Sequence, residues 1–231
     1  MIFSLTQKDT VRVYQGGTKT FTVTPPTQAT TVNGLVVIGF RFLVSSSITN
    51  ITATDNQGNS YALVAIKAQP NDADHKSAMI YGYQTTGGVT EIYVVVTSVA
   101  TPLSSSSFFS EYSGYSSRLN NTAIYDKESD NSSNGVETSF SVPAFSPSRV
   151  GNLIVVFLSF SNGGTNLTAG ANYTRFGTSS FSQALDGEYR LASSTSETAP
   201  MTSGTTGASG WSEIAASFKT MPTGPFPTYL Q

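Results

Sequence analysis

Two continuous apolar runs constrain this chain more than any other feature. Leu35-Val36-Val37-Ile38-Gly39-Phe40-Arg41-Phe42 and Leu153-Ile154-Val155-Val156-Phe157-Leu158-Ser159-Phe160 stand 118 residues apart. A strand with one wet face alternates apolar and polar side chains, and these runs do not. They are also too short and too β-branched for helices. Each therefore reads as a central strand buried on both faces, and the fold has to supply two coverings for it.

Matching segments surround both runs in the same order. Thr20-Phe21-Thr22-Val23 lies over Ser139-Phe140-Ser141-Val142, and Asn50-Ile51-Thr52-Ala53 over Asn166-Leu167-Thr168-Ala169. Tyr61 falls near Tyr173, and Phe109-Ser110-Glu111-Tyr112 corresponds to Trp211-Ser212-Glu213-Ile214. Shared composition does not produce that order, so the chain is read as an internal duplication. Alternating segments near 19–24, 49–54, 61–67, 78–84, 91–97 and 107–113 read as half-buried strands. Asn33-Gly34, Gln57-Gly58-Asn59, Gly87-Gly88 and Gly163-Gly164 supply turns. The expected fold is all-β: an antiparallel, jelly-roll-like β-sandwich duplicated at about 118 residues.

This divides the chain into a first β repeat at 18–115 and a second at 137–219, joined by a polar linker at 116–136. Residues 1–17 precede the repeat and are expected to form an N-terminal arm or edge strand. Residues 220–231 carry Pro222, Pro225 and Pro227, which cannot donate to a ladder, and read as an extended C-terminal arm.

Composition narrows the function classes. Charged residues are 11% of the chain, while Ser and Thr make up about 28%, so solubility rests on hydroxyls and amides. The net charge of −2 and the scattered basic residues argue against nucleic acid as a partner. No 18-residue apolar stretch is present to span a membrane as a helix. Zero cysteine excludes disulfides and thiol chemistry. The segment Met1 to Lys8 lacks the basic and apolar regions of a signal peptide. An unprocessed start combined with an outside-type composition fits a component made in the cytoplasm that works in a virion or extracellularly.

Several motifs occur in a fixed order. A buried strand is followed by the turn Asp55-Asn56-Gln57-Gly58-Asn59-Ser60-Tyr61, the strand Met79-Ile80-Tyr81-Gly82-Tyr83, and then Glu111-Tyr112-Ser113-Gly114. This order resembles a broad family of jelly-roll-like β-sandwich modules found in secreted bacterial proteins and phage virion proteins. The resemblance covers roughly residues 20–218. It implies the fold more strongly than the task, because one sandwich carries many functions.

Candidate chemistry is thin. His75, the single histidine, sits in a polar hairpin-like segment with no nucleophile elbow. Glycosidase chemistry needs two carboxylates facing one cleft. The duplication as read from the sequence places Glu111 and Glu213 at equivalent positions, with Asp186 and Glu188 as a second pair. A repeated strand residue more often holds a neighbouring loop or faces solvent than builds a catalytic pair, so no catalytic residue is assigned. The linker offers Asp126, Glu128, Asp130 and Glu137 as weak calcium ligands, but Asn131 stands where such a loop requires glycine. No metal or other cofactor is assigned. Tyrosines and Trp211 could line a glycan-binding face, although aromatics in a sandwich are usually core.

The sequence therefore points to a non-enzymatic structural protein of a virion, either a capsid decoration or a tail-associated subunit. Its expected partners are copies of itself and other structural subunits. Alternatives are a filament or surface-layer subunit assembled by donor-strand addition, and an adhesin binding cell-surface glycan. Assembly is expected to run through sheet edges and the N-terminal arm, with Ile2, Phe3, Leu5, Val11 and Val13 covering a neighbour.

Overall fold

The computed structural model describes residues 4–8, 12–15, 18–70, 74–114, 120–162, 167–176, 185–198, 200–203 and 208–220. The first half contains β1 (Ser4–Lys8), β2 (Arg12–Gln15), β3 (Thr20–Val23), β4 (Leu35–Leu43), β5 (Ile48–Asp55), β6 (Ser60–Ala68), β7 (His75–Tyr83), β8 (Ile92–Ser98) and β9 (Ser104–Ser113). A single helical turn, α1 (Asn121–Ile124), precedes the second half. That half contains β10 (Tyr125–Glu137), β11 (Ser139–Ser141), β12 (Leu153–Asn162), β13 (Leu167–Thr168), β14 (Thr174–Arg175), β15 (Leu185–Leu191), β16 (Pro200–Ser203) and β17 (Ala208–Phe218).

The two halves repeat one wiring. In the second, β10-β17-β12-β15-β14 form the large sheet and β11-β16-β13 the small one. In the first, the path runs β1-β9-β4-β7-β6-β5-β8-β3 with β2 also on β9, so β6 bridges the large and small sheets. Every described pairing is antiparallel, and strand for strand the orders coincide. The first strand pairs with the last, the last with the third, and the third with the sixth, while the second pairs with the seventh. Each half is thus a jelly roll, and the duplication read from the sequence is a duplication of the fold.

Central strands β4 and β12 explain the two apolar runs. Val36, Ile38, Phe40 and Phe42 point into the interior of the first jelly roll. The alternate residues Leu35 and Val37 instead meet Leu153, Val155, Phe157, Ile214 and Phe218 in a core between the halves. The two large sheets are therefore packed face to face, and each central strand serves two cores. Beyond the apolar residues of that interface, next along β7 and β12, lie three mutually hydrogen-bonded serines. Ser77 Oγ is 2.5 Å from Ser159 Oγ and 2.6 Å from Ser212 Oγ. Nearby, the Phe157 ring fills the place that a side chain on Gly39 would occupy. A Cβ there would lie 2.3 Å from the ring. Gly39 and Phe157 are equivalent positions of the duplication, so the halves meet as hole and bump.

One expectation is corrected by this wiring. From Tyr125 onward the stretch expected as a linker is β10, which pairs with β17 from Tyr125↔Phe218 to Glu137↔Ala208. Of the arm or edge strand expected at the N-terminus, the described residues form the edge strand. β1 pairs with β9 from Ser4↔Ser113 to Lys8↔Ser110, and β2 with β9 from Arg12↔Ser107 to Gln15↔Ser104. Both segments are the first strand of their own jelly roll. β10 lacks apolar alternation because an outermost strand is held along one edge by main-chain bonds and only partly covered. The Pro-rich segment from 221 onward lies outside the described residues.

Candidate functional site

Of the residues expected to drive assembly, Ile2, Phe3 and Val11 lie outside the described residues. Val13 is placed by its backbone opposite Ser106 on β9. Leu5 is half-buried against the core between the halves of its own chain. Of the five, Leu5 alone has a described side-chain setting, and that setting is the core of its own chain.

A different surface is open. On the small sheet of the first jelly roll, Thr20, Val95 and Thr52 stand side by side across β3, β8 and β5, and Thr22, Tyr93 and Thr54 form the next row. All six are exposed. The opposite face of the same strands, with Ile51, Ala53, Val94 and Val96, belongs to the first interior core. None of these six residues is charged, and the exposed Glu91 at the end of the same face accepts the Tyr93 hydroxyl at 2.6 Å. Among the described residues the edge strand β3 pairs only with β8, and Lys19, just before it, is turned back onto the carbonyl oxygens of Ser98 and Val99.

Buried polar groups in the first jelly roll hold loops. Glu111 is fully buried and accepts hydrogen bonds from Gln7 Nε2 at 2.5 Å and from Thr31 N and Oγ1, both at 2.7 Å. It is the loop-holding glutamate the sequence allowed for. Asp55 accepts from Gln57 N, Asn59 N and the Tyr61 hydroxyl, closing a turn in which Gly58 takes φ +81°. Burial beside that carboxylate pushes the Tyr61 phenol up.

The second jelly roll is different. Cross-strand neighbours share a sheet face. Asp186 and Glu213 lie on either side of Leu158, and Glu188 lies beside Val156. Leu158 packs on Phe140 of the small sheet, and Val156 near Val142, so all three carboxylates face the interior. Each is fully buried. The interior core is accordingly split into two clusters, whereas that of the first jelly roll is continuous.

Two of the buried acids in this half have counter-ions. Arg175 donates through Nε to Asp186 Oδ2 at 2.6 Å and pairs with it again through Nη2. Arg190 pairs with Glu197, whose other oxygen collects the Ser193 and Ser194 amides at 2.7 and 2.8 Å. A cleft of about 310 Å³ lined by Tyr173, Arg190 and the 193–198 loop opens over this pair. Glu188 and Glu213 are left over. Glu188 Oε2 accepts from Gly170 N at 2.8 Å, while its Oε1 and both oxygens of Glu213 make no side-chain hydrogen bond. Burial pushes Glu188 up to about 8, and Asp186 adds to the rise. Burial and the nearby Glu188 hold Glu213 well above the usual carboxylate range, only partly offset by the Val142 amide. Burial also raises Asp186, against the pull of Arg175.

The pairing register corrects the sequence pairing of Glu111 with Glu213. Val36 lies opposite Glu111, whereas the equivalent Ile154 lies opposite Ser217. Glu213 corresponds instead to Ser107, across from Phe40. The glutamates occupy different places in different jelly rolls and share no cleft. Glu213 belongs with the runner-up pair, Asp186 and Glu188.

The calcium candidates do not converge either. Asp126 Oδ2 accepts from Ser148 N, Asn152 Nδ2 and Ser217 Oγ at 2.7–2.9 Å. Burial alone would raise its carboxyl, but these donors hold it low. Asp130 pairs with Lys67, Glu137 receives Ser133 Oγ and Trp211 Nε1, and Glu128 is exposed. An extended strand cannot wrap its side chains around one ion as a calcium loop does. Among the described residues no group of three His, Cys, Asp or Glu side chains is arranged to hold a metal. His75 opens β7 opposite Leu43.

No family model matches the chain, and no curated protein does. Among solved structures, one of red clover necrotic mosaic virus aligns at a TM-score of 0.25 and 11% identity, covering 96% of this chain and 97% of that one. One of cucumber necrosis virus aligns at 0.23 and 7% identity, covering 94% and 95%. At these scores the likeness does not amount to a superimposable fold.

Proposed function

We propose that this protein is a non-enzymatic structural subunit of a virion, a capsid decoration or tail-associated protein that associates with copies of itself and with other structural subunits. The observation that carries the reading is the outer face of the first small sheet, where Thr20, Thr22, Thr52, Thr54, Tyr93 and Val95 form two exposed rows without a charge, beside a β3 edge that no other described strand covers. Monomeric sheets guard such edges with charge, proline or a covering segment. The strand Thr20-Phe21-Thr22-Val23 has no charge or proline of its own. A second sheet edge can extend it by main-chain hydrogen bonds while the Thr and Val rows pack. The virion setting is supported by the resemblance to jelly-roll modules of phage virion proteins and by a surface kept soluble by hydroxyls. The large sheets are consumed by the interface between the halves, which leaves small sheets, edges and loops for contacts.

Sedimentation velocity over a wide concentration range tests this. Wild type should associate with rising concentration, and the Thr22→Lys/Val95→Lys variant should remain a 24.4 kDa monomer with an unchanged unfolding midpoint. A wild type that stays monomeric throughout, or a variant that assembles equally well, refutes the assignment of this face.

A further inference from the structure

The interior of the second jelly roll holds more acid than base. Asp186, Glu188, Glu197 and Glu213 are buried there, against Arg175 and Arg190, which are committed to Asp186 and Glu197. Among the described residues two carboxyls therefore have no ion-pair partner, and an unpaired charge is expelled from such a site by taking up a proton.

The surroundings offer no other relief. The facing small sheet, β11, β13 and β16, contains no ionisable residue, and neither does β12 between the acids. Tyr173 lies near Glu188 and Glu213 but directs its hydroxyl to Thr198 O at 2.9 Å, with the Arg190 guanidinium 4.7 Å over its ring. Lys8 of β1 acts on Asp186 and donates to Phe176 O. On the far side of β17, Asn131 of β10 is the residue opposite Glu213, and the nearby Asp130 is engaged by Lys67.

The duplication supplies its own control. The first-half positions equivalent to Asp186, Glu188 and Glu213 are Ala78, Ile80 and Ser107. The same fold thus closes without acids there, so the second jelly roll has acquired a feature its wiring does not require.

We propose that Glu188 and Glu213 act as a proton-held latch: while both are protonated the second jelly roll stays closed, and their ionisation at mildly alkaline pH loosens that half of the molecule alone. The sign follows from linkage. Both groups hold their protons in the folded state to higher pH than in the unfolded chain, so the folded state binds more protons across that interval. The stability Glu188 contributes is complete below the ordinary glutamate range near 4.5 and is lost as pH climbs through about 8, and that of Glu213 is likewise lost as pH rises above the usual carboxylate range. What gives way is the small sheet, whose strands have three, two and four residues. So thin a cover opens locally before the large sheets part.

Trp211, the single tryptophan, reports on this region. It is buried with Phe140 and Leu158 and lies two residues from Glu213 on β17, on the same face. Its emission should shift to the red between pH 5 and 9. Amide protection, corrected for intrinsic exchange, should fall in β11, β13 and β16 by up to about tenfold per pH unit for each proton released, and hold in β3, β5 and β8. The Glu188→Gln/Glu213→Gln variant keeps the shape of the protonated acids and should be flat over that range. A flat wild type, or a transition unchanged in the variant, overturns the proposal. Should the variant not fold, the wild type alone decides, because equal loss of protection in both halves also overturns it.

Discussion

Replacing Gly39 with alanine tests how the two jelly rolls are joined. The added Cβ would stand 2.3, 2.4 and 2.7 Å from Cγ, Cδ1 and Cδ2 of Phe157, well inside contact distance. Phe157 cannot swing away easily, since its ring packs at 5.8 Å on Phe176 and 6.0 Å on Phe108 in the core between the halves. Overpacking of this kind costs about 1–3 kcal/mol. Truncating the same ring by Phe157→Ala should cost about 3–5 kcal/mol. The decisive quantity is the coupling. Gly39 is not among the described glycines with positive φ, so alanine fits its backbone. With the ring gone, Gly39→Ala should be neutral or stabilise by about 0.4–1 kcal/mol through the unfolded chain. The double-mutant cycle should therefore show about 1–4 kcal/mol of coupling between two sites 118 residues apart, the difference between the cost with the ring and the gain without it. Urea unfolding followed by both Trp211 emission and far-UV circular dichroism measures it and exposes any decoupling of the halves. If Gly39→Ala costs the same with and without the ring, the face-to-face packing described here is wrong.

Deleting residues 1–15 should destabilise the fold rather than abolish association. It strips β1 and β2 from β9 and takes Gln7 from buried Glu111, a loss of about 1–3 kcal/mol from that carboxylate alone. Denaturant midpoints of the truncated and full chains check this, and an unchanged midpoint refutes it. Stripping divalent cations with a chelator should leave the thermal midpoint unchanged, because Asp126, Asp130 and Glu137 already have protein partners. A fall of many degrees on calorimetry would restore the calcium reading.

The central strands and the duplication were legible because burial on both faces leaves an unmistakable run of apolar side chains. The first strand of each half was not. β1, β2 and β10 are outer strands whose place is fixed by main-chain pairing, and Asp126-Lys127-Glu128-Ser129 satisfies that role while reading as loop. A signal was nevertheless present. Both segments precede a matched pair, Thr20-Phe21-Thr22-Val23 and Ser139-Phe140-Ser141-Val142, at similar spacing, so the repeat extends further upstream than side-chain identity reveals.

The slip between Glu111 and Glu213 has a different origin. β9 and β17 are both rich in serine, and sliding one on the other by an even number of residues keeps every side chain on its own face. Side-chain pattern alone therefore cannot choose the register; the cross-strand partners on β4 and β12 do. Asp186 and Glu188, two apart on a strand, had to share a face, but their intervening neighbours Leu185, Gly187 and Tyr189 are apolar or small as well. When both faces of a sheet are buried, a pattern that normally separates inside from outside loses its meaning. Alternation alone therefore does not tell whether these acids face solvent or a second sheet; Leu158 and Val156 beside them, packed toward Phe140 and Val142, do. The same ambiguity hides the hole at Gly39, because a glycine in a strand declares close approach without saying what approaches.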